Sequence, residues 1–236
     1  MRFLLAREAE AAAASAARLR ALGHEALAAP VARVVCLPWP GPAPQAQALA
    51  FTSRHGAAAF AAARPERGLA CYAVGPATAA EARAQGFPVV IEGPADGAAL
   101  AALLRERLRP EAGAVLHVGG DRVAFDVAAA LRAAGFAAQH CMLYRTEEAL
   151  TLEPAARAWL RGADLDGVLL YSPRGAAAFG AQCAHAGLAQ SAQAVRWVCF
   201  SEAVAQAARE AGARRIVLSS APREEALFAA ALARDC

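Results

Sequence analysis

The sequence lacks the local marks of cofactor and metal enzymes. It has no G-x-G-x-x-G after an apolar strand, no G-x-x-x-x-G-K-S/T and no H-E-x-x-H, so dinucleotide, phosphate-loop and zinc-protease chemistry have no signature. Its six cysteines (Cys36, Cys71, Cys141, Cys183, Cys199 and Cys236) form no C-x-x-C pair. That spacing indicates reduced, mostly buried thiols rather than disulfides or a metal centre. The five histidines (His24, His55, His117, His140 and His185) are too irregularly spaced to outline a metal cage. No charge-free apolar run approaches the length of a membrane span. The amino end is charged again at Arg7 and Glu8, too early for a signal-peptide core, so a cytoplasmic protein with no membrane partner is expected. Net charge is only +3 and the arginines are spread along the chain, which argues against nucleic acid as a partner.

What is present is a packed composition, 58% hydrophobic and 19% charged, rich in alanine. Its organising stretch is Leu49-Ala50-Phe51-Thr52-Ser53-Arg54-His55-Gly56, an apolar run that ends on a hydroxyl pair and turns into an alanine-rich helix. The unit recurs as Val168-Leu169-Leu170-Tyr171-Ser172-Pro173-Arg174-Gly175, which makes an internal repeat the first reading. Four helical stretches close on glycine, at Gly23, Gly86, Gly135 and Gly212, and each is followed by a new apolar strand. Strand, helix, glycine, strand is the pattern of parallel α/β architecture. Aligning Gly23 with Gly135, Ser53 with Ser172 and Gly86 with Gly212 gives two diverged copies of five strands each. Val31 to Leu37 and Cys141 to Glu147 stay extended outside this rhythm, and the first runs into the proline-rich linker Pro38 to Pro44. The repeat alone favours two consecutive domains, whereas two crossing segments allow a first domain built from both termini with the second inserted.

Candidate site residues lie where strands end. Arg7, Ser53, Gly75 with Thr78, Gly119, Ser172 with Arg174, and Ser201 all fall at carboxyl ends of expected strands, where open α/β sheets bind ligands. A hydroxyl beside the free amides of a helix start suits an anion. The pair Gly119-Gly120 reads as a tight turn rather than a phosphate loop. The competing reading is a two-lobed small-molecule binding or sensor protein that closes on its ligand without chemistry.

Phe51-Thr52-Ser53, Ala73-Val74-Gly75-Pro76-Ala77-Thr78-Ala79, Leu143-Tyr144-Arg145-Thr146 and Leu170-Tyr171-Ser172-Pro173, in that order and spacing, resemble the uroporphyrinogen-III synthase family. The resemblance implies two doubly wound parallel-sheet domains of flavodoxin-like form. The first, 1–30 with 150–236, is discontinuous; the second, 45–140, is inserted; the connectors 31–44 and 141–149 form a two-stranded antiparallel linker. It implies a lyase reaction in an inter-domain cleft, closing the linear tetrapyrrole hydroxymethylbilane to uroporphyrinogen III with loss of water, without cofactor or metal. Whole domains without a heptad repeat point to a monomer, and hand-over of substrate from the enzyme that makes hydroxymethylbilane is the expected partner contact. Tyr144 matches the family's connector tyrosine and is the expected acid. Arg7, Ser53, Gly75, Thr78, Gly119, Ser172, Arg174 and Ser201 are the expected substrate contacts. One departure is visible: the second Gly-Pro-x-Thr-Ala turn is replaced by Ser201-Glu202-Ala203-Val204-Ala205, which places a carboxylate where an anionic substrate is expected.

Overall fold

The protein is described from a computed structural model, which covers residues 1–41, 45–162 and 164–233. Pro42 to Pro44 of the expected linker and Cys236 lie outside the described residues. The chain divides into two compact units, Met1–Arg33 with Glu147–Cys236, and Val34–Thr146.

The first unit holds β1 (Arg2–Ala6), α1 (Ala9–Ala21), β2 (Glu25–Ala28), α6 (Pro154–Arg161), β9 (Gly167–Leu170), α7 (Pro173–His185), α8 (Ala189–Ala194), β10 (Arg196–Cys199), α9 (Glu202–Glu210), β11 (Arg215–Leu218) and α10 (Glu224–Leu232). Its strands pair in parallel in the order β11-β10-β9-β1-β2. Counted in chain order within the unit this is 2-1-3-4-5, the flavodoxin-like doubly wound arrangement. One face of the sheet packs on α6 to α9 around Leu4, Phe179 and Trp197, and the other on α1 and α10 around Phe3, Leu19 and Phe228.

The second unit holds β4 (Ala46–Phe51), α2 (Arg54–Ala63), β5 (Ala70–Val74), α3 (Gly75–Ala84), β6 (Val90–Gly93), α4 (Gly97–Arg107), β7 (Ala114–Gly120) and α5 (Val127–Ala133). Two strands, β3 (Ala32–Cys36) and β8 (Ala138–Glu148), begin in one unit's residues and end in the other's. The six-stranded sheet runs β3-β8-β7-β4-β5-β6. The α2 and α3 helices cover one face around Phe51 and Phe60, and α4 and α5 cover the other around Leu100 and Leu131.

The repeat explains the two orders. Its alignment places β7 on β1, β8 on β2, β4 on β9, β5 on β10 and β6 on β11. The order β8-β7-β4-β5-β6 therefore maps strand by strand onto β2-β1-β9-β10-β11. Each sheet combines the first βαβ segment of one copy with the later βαβαβ segment of the other. The four helix-closing glycines have φ between 83° and 95°, as their shared role requires.

β8 stays extended as one strand from Ala138 to Glu148, and its first part pairs with β7 as far as Tyr144. One expectation is corrected. Gly119 and Gly120 form no turn: both are buried in β7, paired with Met142 and Tyr144 of β8. Glycine is required there by close neighbours. A Cβ on Gly120 would lie 2.4 Å from Cε2 of Tyr144. Among the described residues no helix is long and apolar enough to cross a membrane. Cys71, Cys141, Cys183 and Cys199 are buried free thiols, and Cys36 is exposed. Burial pushes the thiols of Cys71, Cys183 and Cys199 up to about 12, which keeps them protonated and unreactive.

Candidate active site

A cleft of about 510 Å³ opens at the carboxyl end of the sheet in the second unit. Five strand ends contribute to its wall: Thr52 and Ser53 after β4, Val74 of β5, the segment from Ala95 to Ala98 after β6, the segment from Arg122 to Phe125 after β7, and Tyr144 of β8. The crossovers reverse direction between β4 and β7, since α2 and α5 lie on opposite faces. Crevices at such a switch point are the usual ligand sites of open α/β sheets.

Tyr144 reaches this wall through a break in strand alternation. The β7–β8 register slips between Gly119 and Gly120, so that Met142 and Tyr144 face consecutive residues of β7. The extra residue, Leu143, is a bulge. Leu143 and Tyr144 then share the face that packs on α2, although neighbours in a regular strand point to opposite faces. The Tyr144 ring lies over Gly120 and 5.8 Å from the ring of His55. It is 9% exposed, and its hydroxyl makes no hydrogen bond among the described residues.

Two helix starts also meet the cleft. Ser53 caps α2 by accepting the His55 amide at 3.2 Å, and Asp96 caps α4 by accepting the Ala99 amide at 2.8 Å. With its oxygen occupied by the amide, Ser53 retains an O–H to donate, which suits a carboxylate. Arg122 adds a positive charge, balanced in part by Asp121 at 3.8 Å.

Beneath the floor, His117 is fully buried, and its Nε2 is 3.2 Å from the hydroxyl of Thr52. His140 is its cross-strand neighbour, with ring centroids 4.9 Å apart. Burial, reinforced by His140, lowers the His117 pKa to about 4, so the ring is neutral near pH 7.

Of the residues expected from sequence, the cleft brings together Ser53 and Tyr144. Gly75 opens α3 with φ of 66° and Thr78 is buried in the first turn of the same helix; neither lines the cleft. Gly119 is backed by His140. The others belong to the first unit. Ser172 caps α7 by accepting the Gly175 amide at 3.0 Å, and Ser201 precedes α9 without a side-chain cap bond. Arg174 is exposed and pairs with Glu148 at 3.0 Å. The unexpected Glu202 is likewise exposed and pairs with Arg209 at 2.9 Å, so its charge is directed along its own helix.

Arg7 is held internally. Its guanidinium lies 4.0 Å above the Tyr171 ring and donates to Ser15 at 3.1 Å and to Glu224 at 3.2 Å. The Ser15 and Tyr171 hydroxyls also donate to Glu224, at 2.5 and 2.8 Å, and Arg18 pairs with its second oxygen. Glu224 thus satisfies four donors. Glu224→Ala is expected to cost about 2–4 kcal/mol, because the half-buried Tyr171 phenol and two arginines lose their shared acceptor, and Glu224→Gln less. Urea-unfolding midpoints of the two variants check this.

In the sequence Thr52 stands out only as part of a motif, and Arg122, Phe125 and His117 carry no local mark. The one usable signal was position: Thr52 precedes Ser53 in the repeated corner.

A model of the uroporphyrinogen-III synthase HemD family matches residues 13–229. No curated protein sequence matches the chain significantly. The crystal structure of uroporphyrinogen-III synthetase from Helicobacter pylori is similar with a TM-score of 0.59 at 16% identity, covering 98% of this chain and 99% of that one. A mutant uroporphyrinogen III synthase from the extremely thermophilic bacterium Thermus thermophilus aligns with a TM-score of 0.49 at 16% identity, over 97% of this chain and 96% of that one.

Proposed function

The chain belongs to the uroporphyrinogen-III synthase family, and from that premise we propose that it is a cyclising lyase. It closes hydroxymethylbilane to uroporphyrinogen III, inverting the last pyrrole ring and releasing water, with no cofactor. The observation that carries this reading is the family match over nearly the whole chain, and Tyr144 among the residues lining a strand-end cleft supports it. The competing binding-protein reading has no such support.

The chemistry asks little covalent work of the protein. A pyrrole nitrogen pushes out the hydroxyl at the end of the chain, and Tyr144 donates the proton that lets it leave as water. The ring cation is then attacked by the substituted α-carbon of the last pyrrole. That carbon's older bond to its methylene breaks, the methylene re-bonds to the ring's other α-carbon, and the proton there leaves, so the ring ends inverted. Such a course requires the chain to be folded beforehand. The Ser53 hydroxyl and the start of α2 receive carboxylate arms, with Arg122 at the rim. We read the enzyme as a cytoplasmic monomer. Direct hand-over from the enzyme that makes hydroxymethylbilane would limit spontaneous closure to isomer I. The test is to give the purified chain hydroxymethylbilane and separate the oxidised porphyrin isomers, with isomer III expected.

A further inference from the structure

Two adjacent hydroxyls in the cleft have opposite hydrogen-bond polarity. The oxygen of Ser53 accepts the His55 amide, which leaves its O–H to give outward. Thr52 is tied the other way, to a histidine. His117 lies with Nε2 3.2 Å from Oγ1 of Thr52 and Nδ1 3.8 Å from Oδ1 of Asp126. That Nδ1 is buried and has no hydrogen-bond partner. A neutral imidazole carries one proton, and the carboxylate decides where it sits. An N–H facing Asp126 is attracted, whereas a lone pair facing it is repelled. With the proton on Nδ1, Nε2 is a pure acceptor and Thr52 must donate to it. The hydroxyl proton of Thr52 then points inward and its lone pairs face the cleft.

Resting on the synthase reading above, we propose that His117 is a positioning residue that fixes Thr52 as a hydrogen-bond acceptor, and that Thr52 receives a pyrrole N–H of the linear tetrapyrrole. The carboxylate arms offer only lone pairs, which this oxygen repels. The pyrrole rings supply the donors it needs. Ser53 and Thr52 together therefore sort the two polar chemistries of the substrate, an arm on one and a ring nitrogen on the other. This orients a ring edge-on to the sheet end, near Tyr144 in the same cleft wall.

The experiment has two parts. Two-bond ¹H–¹⁵N correlation spectra of the histidine-labelled full chain, with His117 assigned through His117→Phe, read the tautomer without substrate. Protonated Nδ1 with bare Nε2 is expected, and protonated Nε2 overturns the proposal. Steady-state kinetics with hydroxymethylbilane then compare Thr52→Val, Thr52→Ser, His117→Phe and the Thr52→Val/His117→Phe pair. Thr52→Val should raise KM about tenfold, the loss of one ring N–H partner, and Thr52→Ser should restore it. The pair should be no worse than Thr52→Val alone, since His117 acts only through Thr52. Additive effects, or a Thr52→Val KM equal to the parent's, would overturn the assignment. Should His117→Phe fail to fold, the threonine variants still decide, with the tautomer assigned from the remaining histidine substitutions. A parent chain without turnover would defeat the synthase reading and the pyrrole ligand together, and the tautomer alone would then decide the polarity of Thr52.

Discussion

Tyr144→Phe is expected to slow turnover at least about tenfold with little loss of stability, and Gly120→Ala to slow it comparably by a different route. The phenylalanine keeps the ring against Gly120 and removes only the proton donor. The alanine keeps the donor and displaces it. Its Cβ would stand 2.4 Å from Cε2, 2.7 Å from Cζ and 3.0 Å from Cδ2 of Tyr144, so the ring, with the carbon that bears the hydroxyl, must move. Room to move is small, because the ring belongs to the packed face with Leu143, Cys141 and Val118. Overpacking of this kind costs about 1–3 kcal/mol, so Gly120→Ala should also lower the unfolding midpoint while Tyr144→Phe does not. The double variant should turn over no more slowly than the slower single one, since both act on one group. Single-turnover rates and thermal melts of the three variants check this. Full turnover in Tyr144→Phe would remove the acid assignment.

The second large effect is on stability against pH. His117 has its pKa lowered from 6.5 to about 4, by burial first and then by His140. Asp126, which faces Nδ1, opposes this shift, and Thr52 contacts Nε2. The unfolded chain takes up a proton below about 6.5, and the folded chain resists until about 4. Stability from this residue is therefore complete above 6.5 and is lost as pH falls towards 4. Between about pH 7 and pH 4.5 the loss is about 2–3 kcal/mol. Urea unfolding at the two pH values should show this drop in the parent and a drop smaller by that amount in His117→Phe. Equal drops in both would show that His117 takes up its proton in the folded state as readily as in the unfolded one.

The parts of this architecture that were readable in the sequence are those fixed by local chemistry. Ser53 and Ser172 cap helices because an apolar strand stops at a hydroxyl, and each oxygen finds an amide two or three residues ahead. Gly23, Gly86, Gly135 and Gly212 adopt the positive φ that a helix-closing residue needs, and their spacing carried the repeat. What was not readable depends on partners distant along the chain. Arg7 is held by Glu224, at the far end of the sequence, and nothing local to either foretells the pair. Gly119 and Gly120 resemble a turn because glycine says only that space or freedom is needed. Here it is space, for His140 and for a tyrosine on the next strand. The bulge that turns Tyr144 onto the α2 face is a property of register, invisible in a run that reads as plainly extended. His117 looked like one more scattered histidine until the fold set it between a threonine and a carboxylate.

The most direct measurement of the central claim is the isomer ratio of porphyrins formed from freshly generated hydroxymethylbilane, followed as the concentration of metal-free protein is raised. The synthase reading predicts that isomer III grows with protein concentration at the expense of the spontaneous isomer I, without added metal or cofactor. Isomer I alone at every concentration, from protein shown by its circular dichroism to be folded, would contradict it.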